Sequence, residues 1–128
     1  MVNDSNEYAV YTDANTLCIS GTVYTVKRAA IAAASSGNNT LVAAVAGKKI
    51  RVVSIAFIAA GAVSLYFDSA SGVIFGGSTN KMAFAANGGI CLPHNQHGWF
   101  QTSAVNEDLR VNLSGAVAIS GGLTYIEV

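Results

Sequence analysis

The chain has 128 residues, 52% of them hydrophobic and only 11% charged, and its seven basic and seven acidic side chains cancel to zero net charge. That length suits a single domain. The basic residues Lys27, Arg28, Lys48, Lys49, Arg51, Lys81 and Arg110 never form a run longer than two, which excludes the basic stripe of a nucleic-acid binder.

No apolar run approaches the roughly 18 residues of a membrane helix, so neither nucleic acid nor membrane is expected as a partner. The charged fraction is less than half of the roughly 25% common in soluble domains. Apolar residues beyond the needs of one small core must then be scattered as exposed Ala or covered by another protein surface, and cover by a partner is the expectation.

From the N-terminus, Met1 to Glu7 is polar and acidic, the wrong chemistry for a secretory signal, and synthesis in a cytosol is expected. Residues 1–22 are read as an N-terminal arm or added strands and residues 23–128 as a β-sandwich domain. Tyr8, Val10, Tyr11, Leu17 and Ile19 give the arm apolar residues that linkers lack, and they are the candidate oligomer contacts. Acidic Asp4, Glu7 and Asp13 precede basic Lys27 and Arg28, which suits addition of the arm to a neighbour's exposed sheet edge; the alternative is a hairpin folded back on its own domain.

Beyond the arm, short runs rich in Val, Ile, Phe and Tyr alternate with Gly/Asn/Ser turns about every ten residues, the pattern of an antiparallel sandwich or barrel. Glu7–Thr12, Thr16–Ser20, Val23–Ala33, Thr40–Val45, Lys49–Ala59, Val63–Phe67, Gly72–Phe75, Lys81–Ala85, Gly89–Leu92, Gly98–Thr102, Leu109–Leu113, Ala116–Ser120 and Leu123–Val128 are the expected strands. Turns are expected at Ser35–Asn39, Gly47-Lys48, Gly76–Ser78, Asn87–Gly89, Asn106–Asp108, Ser114-Gly115 and Ser120–Gly122.

Ala29–Ala34 is too short for helix propensity to decide, and β-branched Val23, Thr25 and Val26 lead into it, so it reads as a strand whose small side chains let another surface approach. In Ile50–Ala59 the apolar phase slips, which predicts a β-bulge near Val52 or burial on both faces. The expected core is Ile55, Phe57, Leu65, Phe67, Trp99, Leu109, Val111 and Leu113.

Nothing in the sequence assembles catalytic chemistry. The acids fall mostly in turns, at strand ends and in the N-terminal segment, and neither a nucleophile elbow nor a phosphate loop is present. Cys91, His94 and His97 have metal-like spacing but no local fourth ligand, so they read as a loop and no stoichiometric zinc is expected. Cys18 and Cys91 read as two buried free thiols. No enzyme activity, cofactor or metal is expected.

The landmarks Val26–Ile31, Asn39–Val52, Ala86–Gly89, Leu92-Pro93, Gly98–Thr102, Leu109–Ser114 and Leu123–Val128 together resemble, over about four-fifths of the chain, a group of small tailed-bacteriophage proteins associated with head decoration and other accessory virion parts. The resemblance implies a jelly-roll-like β-sandwich and no catalysis. It also implies a capsid decoration (cement) protein on the outside of the head, bound to the major capsid protein and self-associating, with a trimer favoured over a dimer. Residues 1–22 lie outside the resemblance, and their apolar residues are then candidate shell contacts as well. The alternative role is a tail-associated or fibre binding module that recognises a host surface ligand.

Overall fold

The computed structural model describes residues 15–128, in which there are twelve strands and no helix. They are β1 (Thr16–Ile19), β2 (Thr22–Thr25), β3 (Lys27–Ala33), β4 (Gly37–Val42), β5 (Ile50–Ala59), β6 (Val63–Ser69), β7 (Gly72–Phe75), β8 (Met82–Phe84), β9 (Gly89–Leu92), β10 (Phe100–Gln101), β11 (Leu109–Leu113) and β12 (Ile119–Glu127). The expected strand at Glu7–Thr12 lies outside the described residues.

Apart from the β1–β2 ribbon, the strands form two five-stranded antiparallel sheets, as expected for a β-sandwich. One sheet runs β3-β12-β5, with β9 and β10 end to end along the far edge of β5; the other runs β4-β11-β6, with β7 and β8 end to end along the far edge of β6. Pairing is nested: β6 pairs with β7 and β8, β5 with β9 and β10, β4 with β11, and β3 with β12. The chain is thus one long hairpin wrapped so that successive pairs fall in opposite sheets.

Strand alternation decides which side chains enter the space between the sheets. Leu65 and Phe67 on β6, Leu109, Val111 and Leu113 on β11, and Ile55 and Phe57 on β5 are all buried in one cluster, in agreement with the sequence pattern. Phe67 is its hub. Its ring stacks on Phe100 at 5.0 Å between centroids and meets Phe57 edge-on at 6.0 Å. The phase slip in β5 is a bulge: Thr124 faces Ser54 and Tyr125 faces Val52, which leaves Val53 as the extra residue. Val52 joins the central cluster, whereas Val53 is buried outside it, so bulge and two-sided burial both occur.

Several expectations are corrected. Trp99 is 38% exposed, and Phe100 fills the core in its place. Phe100 pairs opposite buried Val52, which sets the inward parity of β10 and turns its predecessor outward. Ser120–Gly122 is no turn but lies within the first half of β12. A Cβ on Gly121 would run into the Ala56 carbonyl oxygen and the Phe57 Cα, so this glycine serves close strand approach. Val23–Ala33 is interrupted at Val26, whose N–H donates to the Asn15 carbonyl at 2.6 Å. Asn38 and Asn39 belong to β4 rather than to a turn. Neither thiol is fully buried: Cys18 is half-buried and Cys91 exposed, both reduced.

The Asn106-Glu107-Asp108 turn does more than reverse the chain. Asn106 Oδ1 accepts from the Gly47 N–H and Asp108 Oδ1 from the Ala44 N–H, each at 2.6 Å, while Glu107 accepts from the Ser71 hydroxyl and N–H. Three adjacent side chains therefore tie the β4–β5 and β6–β7 connections to one corner.

Phe67→Ala is expected to cost about 3–5 kcal/mol in urea unfolding, and Trp99→Ala well under half of that. The Ser71 hydroxyl, helped by Ser69, holds the Glu107 carboxyl below its ordinary value of 4.5. This contribution is complete above pH 4.5 and is lost as pH falls through the lower folded value. Glu107→Gln should accordingly be less stable than the native chain at neutral pH, with the gap closing in melts taken below pH 4.5.

Candidate functional site: a small-residue sheet face

The two outer faces of the sandwich differ in chemistry. On the β4-β11-β6 sheet, the outward residues are Asn38 and Thr40, Arg110 and Asn112, and Ser64, Tyr66 and Asp68. Arg110 grips Asp68 through two parallel hydrogen bonds of 3.0 Å each and also donates to the Ser69 carbonyl at 3.1 Å. Asn112 donates to Asn38 at 2.8 Å, and the Lys81 ammonium lies 5.7 Å from the centre of the Tyr66 ring. This face is polar and its polar groups pair with one another.

The outer face of the other sheet is built of small residues in three cross-strand rows. Register places Arg28, Thr124 and Ser54 in the first row, Ala30, Gly122, Ala56 and Cys91 in the second, and Ala32, Ser120, Ile58 and Gly89 in the third. Arg28 is the one charged residue among them. Ile58 is 58% exposed, and the alanines and Cys91 are open to solvent. Because glycine and alanine stand beside it, the surface is a shallow trough. One depression of about 520 Å³ is lined by Arg28, Ser54, Thr124, Ala56, Cys91, Gly122 and neighbours, and another of about 440 Å³ by Ala56, Ile58, Gly89, Ser120 and neighbours. The first face thus carries a bonded polar network, whereas on the second, beyond Arg28 and the hydrogen-bonded Ser54 and Thr124 hydroxyls, the exposed side chains are mostly small and apolar.

Of the residues singled out in the sequence, Tyr8, Val10 and Tyr11 lie outside the described residues. Leu17 and Ile19 sit on β1, which pairs with β2 through a turn at Ser20 and Gly21, both with positive φ. They share one ribbon face with Tyr24 and are half-buried, while Cys18 and Val23 occupy the other face, where Val23 is 54% exposed. Asp4, Glu7 and Asp13 lie outside the described residues, and Lys27 pairs with Glu127 at 2.9 Å. Cys91, His94 and His97 are all exposed, and among the described residues no group of three or more potential ligands converges. The small-residue run at Ala29–Ala34 pointed to the trough, but its continuation across Gly122 and Ala56 follows from register.

Since Ala56 faces solvent, Ala56→Arg should leave the thermal midpoint nearly unchanged, whereas Gly121→Ala should cost about 1–3 kcal/mol or more because backbone must move; parallel calorimetric melts check both. No protein-family model matches the chain, and no curated protein or solved structure matches it.

Proposed function

We propose that the chain is a non-catalytic virion component, a decoration protein that attaches to the assembled head shell of a tailed bacteriophage and stabilises it by adding protein contact. The observation that carries this reading is the near-neutral trough of small residues on one sheet face, opposite a face whose polar groups pair among themselves. Such a surface suits contact with protein.

Two further points support it. The nested pairing, with β9/β10 and β7/β8 each counted as one position, corresponds to the eight-position order of a jelly roll, an architecture used in viral capsid and lectin domains. Fold alone does not assign a role, and the resemblance of residues 26–128 to phage accessory proteins supplies the virion context. Size fits as well. Four strands by about five residues make a contact of roughly 300 Å², against about 800 Å² per partner in a stable pairwise complex. Contact of this size holds best where many copies act together on a repeating lattice.

The second reading, a tail or fibre module for a host ligand, is favoured by three exposed side chains close in sequence, Trp99, His94 and His97. Electron microscopy of virions carrying a C-terminal tag on this chain separates the two. Labels at repeated head positions are expected; labels confined to the tail would replace the decoration reading with the alternative, and unlabelled particles would remove both.

A further inference from the structure

Strand β3 has an open edge, and we infer that residues 8–13 of the same copy, which precede the described residues, pair antiparallel along it as a continuation of the β1–β2 ribbon. The occupant of that edge is then the chain's own N-terminal segment and not a neighbour's, whatever the sandwich binds elsewhere.

Among the described residues β3 has a ladder with β12 alone. Alternate N–H and C=O groups along its seven residues therefore face away from the sheet, and such an edge is a template for a further strand. The ribbon leads one there. Thr16 faces Thr25, Leu17 faces Tyr24, and the Val26 N–H donates to the Asn15 carbonyl at 2.6 Å, so the ladder reaches the residue before β3 without a slip in register. Because β1 runs antiparallel to β2, the chain before Asn15 extends in the direction that β3 takes. One edge of β2 is held by β1 while β12 approaches it from the sheet, which delivers that segment to the side of β3 that β12 leaves open.

The same one-to-one register carried onward sets Asp13 opposite Arg28, Tyr11 opposite Ala30, Val10 opposite Ile31 and Tyr8 opposite Ala33. The pattern suits both faces. Ile31 and Ala33 are buried, so Val10 and Tyr8 fall on the inner side, whereas Asp13 falls on the outer face with Arg28. Arg28 is exposed and makes no ion pair among the described residues, and an opposite charge directly across a ladder is a favourable partner for it. A slip of one residue would turn Asp13 inward and Val10 outward, so charge and hydrophobicity select one register. In that register Asp13 meets the one charged residue of the small-residue face.

Disulfide trapping in the full-length chain tests the pairing. In a Cys18→Ser, Cys91→Ser background, Tyr11→Cys is combined either with Ala30→Cys, its partner in this register, or with Ala32→Cys, two residues further along β3, and oxidation is followed on non-reducing gels and by peptide mass. The bond between positions 11 and 30 is expected within single chains and at least about tenfold faster than that between 11 and 32, because only the first pair lies within disulfide reach. Asp13→Arg should slow it, and Asp13→Arg together with Arg28→Asp should restore it. Linked dimers in place of linked monomers would mean that the segment crosses to a neighbour; equal rates for the two pairs, or no bond in either, would mean that no such register exists. Each of these results overturns the inference. Amide exchange in the unmodified chain reads the same edge without substitutions: every N–H from Arg28 to Ala32 should be protected, and alternate amides exchanging at unprotected rates would show the edge to be open and overturn it as well.

Discussion

One extra residue in β5 determines what each side of the sandwich presents. Before the bulge, Ile50 and Val52 point into the core; after it, Ile55, Phe57 and Ala59 do, and Ala56 and Ile58 are left to face solvent. Without the inserted Val53 the downstream half of the strand would reverse, with Phe57 outside and Ile58 inside. Both the aromatic hub around Phe67 and the small-residue trough depend on that single shift of parity.

The same strand is flanked closely on both edges. Gly121 on β12 and Gly89 on β9 stand where any Cβ would collide with the β5 backbone between Ala56 and Ile58. These glycines let three strands approach in the region where the outer face is flattest.

The sandwich and most of its core were legible in the sequence because alternation in segments such as Leu109–Leu113 leaves one possible inward set. The bulge was legible too, since a change of parity within one apolar run requires either an inserted residue or burial on both faces. Trp99 was misplaced because an aromatic pair gives no local sign of which ring turns inward; the partner strand, through Val52, decides it. Ser120–Gly122 looked like a turn because glycine marks both turns and close approaches, and the two are told apart only when the neighbouring backbone is in place. For the same reason the trough was half visible: Ala29–Ala34 could be read, but Ala56, Gly89 and Gly122 acquire meaning only as parts of rows across four strands.

Nested pairing also has a kinetic consequence. β12 lies between β3 and β5, so the sheet that carries the trough has no centre until the last strand has been synthesised, and residues nearly a hundred positions apart, such as Lys27 and Tyr125, must then meet. High contact order of this kind slows folding, because the entropy of closing a long loop is lost before the contacts that offset it can form. The β6–β7 hairpin is local and can form early, whereas the β3-β12-β5 sheet closes last. On the proposed reading of this face as a contact, a surface that appears only when folding is complete would capture no partner on a half-made chain, and folding would be separated from assembly in time.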